Sequence, residues 1–351
     1  MGRGHEALGH RAGPGRFAGV SALLRQAAGL LGLPADSAGD ASEPRIPCPL
    51  GWAGLPCRCE FIETVKPNFL IIGAAKCGTT TLYDVLRQHP QIGMCDVKEP
   101  NYFGDDSNYA RGPGWYESLF QSAAGKIAIG EASPQYTWLS KYPHASERIA
   151  RDLPDARLIY SVRHPLDRMV SGYMMQRAAG ALRVSLGQAV RRFPGLVEHS
   201  LYWKQISAYR THFRDDRIRI VFLEDYARDP CAELRGLYEF LGVDPDFQAP
   251  DPARPRNARA SMPPPPTDWM RRYQRSAMAR VVRAVLSPGV RRGVRTLARR
   301  YTHAPVARPE WDEETRRWAV EQVLEDARQL LAHCGKPPDY WDLRPVVPAV
   351  A

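Results

Sequence analysis

The sequence predicts an α/β fold: a single domain on a mostly parallel sheet, with helices covering both faces. Three observations carry that expectation. Short apolar runs alternate with stretches whose apolar residues recur at helical spacing, the rhythm of β–α–β units. The runs are continuous rather than alternating, as in strands buried on both faces. The composition, 44% hydrophobic and 25% charged over 351 residues, is that of a globular chain long enough for one large domain.

The elements follow in order. Phe69-Leu70-Ile71-Ile72 runs into Gly73 as the first strand. Beyond the turn, Leu82, Val85 and Leu86 fall at i, i+3 and i+4 and mark a helix that Pro90 closes. Ile127-Ala128-Ile129 and Leu158-Ile159-Tyr160-Ser161-Val162 read as the second and third strands. Pro165 opens a helix whose Leu166, Met169, Val170 and Tyr173 share one face. Ile218 to Leu223 is a fourth strand, and the helix after Pro230 stacks Leu234, Leu237, Tyr238 and Leu241 before Gly242. From Asp312 to Cys334 runs a last helix with Val320, Val323, Leu324, Ala327, Leu330 and Leu331 on its stripe. Asp312, Glu313 and Glu314 sit in its first turn, where negative charge is favoured, and Gly335 stops it.

These signals place a domain over 66–351, with a flexible N-terminal tail over 1–65. Phe17 to Leu33 is apolar but broken by Arg25 and Gln26, which suits a surface helix better than a signal peptide or anchor. Cys48, Cys57 and Cys59 lie among Pro and Gly without a histidine pair, as in a solvated linker more than a zinc site. No run of about 20 apolar residues argues for a membrane span, and seven cysteines argue against a disulfide scaffold. No metal site is expected.

The charge is local. The chain carries +10, yet fourteen arginines against Asp268 and Glu310 fall within 253–310, so the remainder is slightly acidic. That segment reads as an arginine-rich helical insertion or lid, entered through the stiff spacer Pro263–Pro266.

Two motifs carry chemistry. The first, FLIIGAAKCGTTTLYDVL (69–86), is strand, loop and helix. Gly73 and Gly78 let backbone amides approach an anion, the helix N-terminus adds partial positive charge, and Lys76, Thr79, Thr80 and Thr81 add donors. The domain is therefore P-loop-like. A nucleotide kinase loop would place lysine after the second glycine, with a hydroxyl next for magnesium. Here Thr79 holds the lysine position and the lysine sits inside the loop, which suits a phosphate donor that needs no metal. The competing reading is that the threonines only cap a helix. The second motif, LIYSVRHPLDRMVSGY (158–173), puts Arg163 at a strand's C-terminal end and Ser171 on the next helix. Ligands of open parallel sheets sit beyond those strand ends, so Arg163 and Lys76 are expected to face one crevice. Arginine's fork and a serine hydroxyl suit a single phosphate.

GAAKCGTTTL followed by SVRHPLDRMVSGY resembles the two cofactor signatures of sulfotransferases that use 3′-phosphoadenosine 5′-phosphosulfate (PAPS). KEPNYF (98–103), GEASPQYTW (130–138) and EDYARDPCAELRGLYEFLGV (224–243) are similar to segments of the Golgi carbohydrate branch, heparan- and chondroitin-type, and its bacterial relatives. The likeness covers 66–260 and returns in the last helix.

The resemblance implies a fold and a site. Lys76, Cys77, Gly78, Thr79, Thr80 and Thr81 would hold the 5′-phosphosulfate, with Lys76 on the leaving oxygen. Arg163 and Ser171 match the 3′-phosphate pair. Asn257 and Arg259 are candidates for the loop that closes over the nucleotide. Glu99 matches the branch's general base, which takes the acceptor's proton as the hydroxyl or amine attacks sulfur in line. Without the resemblance, Glu99 between Lys98 and Pro100 reads as a solvated charge. Lys98 either binds an anionic acceptor or offsets Glu99. Tyr202 either lines the cleft or belongs to the core, and His89 reads as structural. Two departures stand out: His164 where the family often has Asp, and Ala132 where heparan-type enzymes have lysine.

The expected function is sulfuryl transfer from PAPS, without metal, to a carbohydrate, glycosylated metabolite or lipid. The alternatives are a P-loop phosphotransferase and a non-catalytic nucleotide- or anion-binding protein. Residues 269–301 could attract an anionic glycan, rest on an anionic membrane, or form a solvated lid. No module for nucleic acid is present. The compartment expected is the cytoplasm, with peripheral membrane contact through 269–301; a Golgi type II protein anchored by 17–33 is the lesser alternative.

Overall fold

The computed structural model describes residues 65–252 and 308–343. The expectations for the N-terminal tail, Cys48, Cys57, Cys59, Asn257, Arg259 and the segment 269–301 lie outside those residues.

Five strands form one sheet: β1 (Phe69–Gly73), β2 (Ile92–Met94), β3 (Ala128–Ala132), β4 (Arg157–Val162) and β5 (Ile218–Phe222). Their order is β2-β3-β1-β4-β5 and every pairing is parallel. Parallel neighbours require crossovers, which α1 (Thr79–Leu86), α2 (Ala145–Asp152), α3 (Pro165–Ala178), α4 (Leu186–Arg192) and α5 (Tyr202–Arg210) help supply. Beyond β5 come α6 (Leu223–Arg228), α7 (Pro230–Leu241) and α8 (Glu313–His333).

The continuous apolar run of β1 is explained by its place at the sheet's centre. Leu70 and Ile72 face one core with Leu158, Tyr160 and Val162, under Met169 and Tyr173 of α3, Tyr202 of α5 and Val323 of α8. Phe69 and Ile71 face the other, with Leu82 and Val85 of α1 and Leu234 and Leu237 of α7. Each such fully buried side chain contributes about 1.5–3 kcal/mol over an exposed one. At the start of α8, Asp312 is the N-cap rather than a first-turn residue, and its side chain accepts the Thr315 N–H at 2.8 Å.

Two strands differ from expectation. β2 is three residues long and includes Gly93, too short and mixed to show as an apolar run. β3 begins at Ala128 and continues through Glu131, while Ile127 is exposed. A carboxylate inside a buried strand hides it from a hydrophobicity reading. Helices α2, α4 and α5 were not anticipated either. Among the described residues no helix is long and apolar enough to cross a membrane.

The sheet order fixes where a ligand can sit. After β1 the chain moves to the β2–β3 side, and after β4 it moves to β5 on the other. β1 and β4 are neighbours, so the crevice beyond their C-terminal ends lies at a topological switch point. The loop after Gly73 and the turn after Val162 both open there.

Candidate functional site

The 74–78 loop is held by its carbonyls. Arg168 Nε donates to Ala75 O at 3.3 Å, Arg163 Nη1 to Lys76 O at 3.5 Å, and Ser161 Oγ to Cys77 O at 2.5 Å. The Ala74 N–H donates to Ser161 O at 2.6 Å. Lys76 and Gly78 both take left-handed backbone, at φ 75° and 87°. Alternation of this kind makes an anion-binding nest of backbone N–H groups. Gly78 is required twice over: its φ suits glycine, and a Cβ there would meet Leu223 Cδ1 at 2.7 Å. It also serves as N-cap of α1 with no side-chain acceptor on the first-turn amides. At Gly73 the need is different, since a side chain would collide with Thr137 rather than with a ligand.

Cys77, expected among the cofactor contacts, is engaged inside the scaffold. Its N–H donates to Ala74 O at 3.1 Å, and its Sγ lies 3.5 Å from the Tyr202 hydroxyl. Burial pushes the thiol up to about 11. Tyr202 is therefore core rather than cleft. Thr79 and Thr81 are buried, and Thr80 Oγ1 accepts from Lys98 Nζ at 3.0 Å.

Arg163 stands where β4 ends, as expected, 17% exposed. Nη2 lies 3.2 Å from Oδ2 of Asp167, whose Oδ1 pairs with Arg308, and the Nε of Arg163 is buried without a partner. Burial alone would raise the Asp167 carboxyl, but Arg163 and Arg308 hold it below its ordinary value. Ser171 is on α3 and 9% exposed. His164 gives its N–H to Glu224 Oε1 at 2.7 Å, which braces the strand end; burial lowers its imidazole. His89 is structural, with Nε2 at 3.0 Å from Asp244 O and its ring between Tyr238 and Phe247.

Arg168 is a residue that sequence reasoning missed. It is 2% exposed and also donates to Leu196 O at 2.8 Å and Ser200 Oγ at 3.2 Å. Its signal was an arginine set between the apolar positions Leu166 and Met169. Burial lowers the Lys76 ammonium, and Arg168 and Arg163 lower it further, while Glu99 acts the other way. Three cations are thus crowded around one loop, an arrangement that a polyanion relieves.

The general-base candidate sits on a strained turn. Glu99 and Asn101 take φ of 57° and 48° on either side of Pro100. Such conformations cost about 1–3 kcal/mol each and gather at functional sites. Lys98 ties this turn to α1 through Thr80 and lies 3.9 Å from Glu99 Oε1, so it both offsets the carboxylate and anchors it to the phosphate helix. Gln135 Nε2 donates to Glu99 Oε2 at 2.9 Å.

Comparison with known proteins now decides the family. The sulfotransferase domain family matches residues 66–293, from the start of β1's approach through the phosphate loop, strand-end arginine and beyond. The chain belongs to the sulfotransferase domain family. The sulfotransferase domain is 31% identical over 187 residues to heparan sulfate glucosamine 3-O-sulfotransferase 3B1 of Mus musculus, covering 50% of this chain and 46% of that protein. It is 40% identical over 110 residues to a protein of Dictyostelium discoideum named membrane-associated sulfotransferase kil1, covering 30% of this chain and 22% of the other. A sulfotransferase structure from Alicyclobacillus acidocaldarius aligns over 79% of this chain and 99% of its own, with TM-score 0.57 and 23% identity, a likeness of fold. The chain thus spans about half the length of the mouse protein.

Behind the Glu99 turn, the sulfotransferase domain buries Glu131 completely. Oε1 accepts the hydroxyls of Tyr136 at 2.5 Å and Tyr116 at 3.3 Å, and Oε2 accepts Ser133 Oγ at 2.7 Å. Burial raises its carboxyl from 4.5 to about 7 despite these donors. A raised folded-state pKa stabilises the fold below the unfolded value and loses that contribution as pH climbs through the folded one. Between pH 4.5 and 7 the loss approaches about 3 kcal/mol. Urea unfolding of wild type and Glu131→Gln should therefore show the difference moving in favour of the variant as pH rises from about 5 to 8. A difference that stays flat would refute the raised pKa of the buried carboxyl.

Proposed function

We infer that the protein is an enzyme that transfers a sulfuryl group from PAPS to a hydroxyl or amine of a carbohydrate, glycosylated metabolite or lipid. The observation that carries this is the Lys98–Thr80 link, which holds the Glu99 turn against the phosphate helix and brings Glu99 within electrostatic range of Lys76. A nest of amides with three cations fits the polyanionic nucleotide. When bound, PAPS supplies the sulfuryl group and a bisphosphate leaving group. Lys76, the loop amides and Thr79–Thr81 bind its 5′ end, and Arg163 and Ser171 its 3′-phosphate, with Asn257 and Arg259 assigned there by sequence. Glu99 takes the acceptor's proton, and Lys76 neutralises charge that develops on the leaving side.

A carbohydrate acceptor is supported by the name of the mouse relative, and a peripheral membrane contact by that of the Dictyostelium one. The compartment stays with the sequence expectation, cytoplasmic with that peripheral contact.

Calorimetric titration tests the donor. Without magnesium, 3′,5′-bisphosphoadenosine should bind tightly, and ATP with magnesium weakly. Arg163→Ala should weaken the bisphosphate by about 10- to 100-fold, a charge-assisted hydrogen-bonded pair, and weaken the analogue without a 3′-phosphate far less, since only the contact to the Lys76 carbonyl is lost there. Equal losses for both ligands would remove Arg163 from the 3′-phosphate. Preference for ATP with magnesium would instead establish the phosphotransferase. Tight bisphosphate binding without transfer to any acceptor would mark a binding protein.

A further inference from the structure

Residues Ser133–Thr137 touch both halves of the site. Thr137 packs where Gly73 would carry a side chain, directly beneath the start of the phosphate loop. Ser133 Oγ accepts the Asn101 N–H at 3.0 Å and donates to Glu131, so the base turn's backbone is fastened to the same segment. Gln135 reaches the base itself, with Nε2 at 2.9 Å from Glu99 Oε2. Its other end, Oε1, is buried with no partner. An amide that leaves its carbonyl unsatisfied is oriented by the group its NH2 meets, since a flip would set oxygen against carboxylate.

We propose that Gln135 is a positioning residue for the general base, fixing the Glu99 carboxylate at a set place relative to the phosphate loop. The proposal rests on Glu99 being the base. Glu99 is 35% exposed on its turn, and its side chain has several torsions to lose. Lys98 ties that turn to α1 through Thr80, but at 3.9 Å and 42% exposed it lies too far from the carboxylate for a hydrogen bond and leaves its torsions free. Gln135 belongs to a different segment, one wedged under the loop that carries Lys76. A charge-assisted hydrogen bond from such a support restricts the carboxylate to the geometry the reaction needs.

A double-mutant cycle tests this. Gln135→Leu should lower kcat about tenfold, the size of one charge-assisted hydrogen bond, with donor KM and bisphosphate affinity held within about twofold. In a Glu99→Gln background the same substitution should change residual turnover by less than about twofold, because its partner's role is already gone. Gln135→Glu keeps the side chain's shape and replaces the donor by a second carboxylate, so it should lose at least as much; full activity there would overturn the proposal. Unchanged turnover for Gln135→Leu, or equal losses in both backgrounds, would also overturn it while leaving Glu99 as the base. Full activity of Glu99→Gln alone would overturn the base assignment and this proposal together.

Discussion

Lys76→Met should cut sulfuryl transfer by at least about 10²- to 10³-fold, the usual cost of removing one preorganised donor at a developing charge. The residue already takes φ 75° with a side chain attached, so the substitution adds no backbone strain. The loop's shape should also survive, because Arg168, Arg163 and Ser161 hold it through the carbonyls of Ala75, Lys76 and Cys77. What disappears is one cation of three. Bisphosphate binding should therefore weaken less than turnover, since Arg163 and the backbone amides remain. Steady-state kinetics beside calorimetry separate the two effects. Near-normal turnover would take Lys76 out of the mechanism.

Glu99→Gln should lower kcat by about 10²- to 10⁴-fold, the range for a lost general base, and leave bisphosphate affinity almost unchanged. Glutamine keeps the volume and an oxygen for the Gln135 amide, so the strained turn between Lys98 and Asn101 is retained. Acceptor binding should change little, and the loss should fall on the step in which the acceptor gives up its proton. A variant that transfers at the wild-type rate would return Glu99 to a solvated charge offset by Lys98.

Both residues were visible in the sequence, for different reasons. Lys76 stands in a strand–loop–helix pattern whose physics is local: an apolar run, two glycines and a helix start within eighteen residues. Arg163 was visible likewise, because a strand followed at once by Pro165 places it at a strand end. Glu99 has no such local signature. It lies in a turn, and resemblance alone lifted it above the reading of a surface charge. The long-range contacts that fix its turn were out of reach for the same reason. Lys98 meets Thr80 across 18 residues, and Gln135 meets Glu99 across 36.

Glu131 and Arg168 show the limit from the other side. Polar residues in apolar stretches look like surface until their partners are known, and here those partners are hydroxyls and carbonyls on other segments. The side chain of Cys77 was equally illegible: the backbone turns its thiol into the core, onto Tyr202 of α5, 125 residues away.

The sequence by itself determined the strands that carry the loop after Gly73 and the strand-end arginine, and the helices at either end of the fold. These follow from backbone dihedral preferences and apolar periodicity, which act over a few residues. The tertiary structure alone decided that the sheet runs β2-β3-β1-β4-β5, that the Glu99 turn is fastened to α1, and that Ser133–Thr137 spans loop and base. Such contacts depend on which strands become neighbours, and that is settled by burying both faces of the sheet at once, a property of the whole chain rather than of any stretch of it.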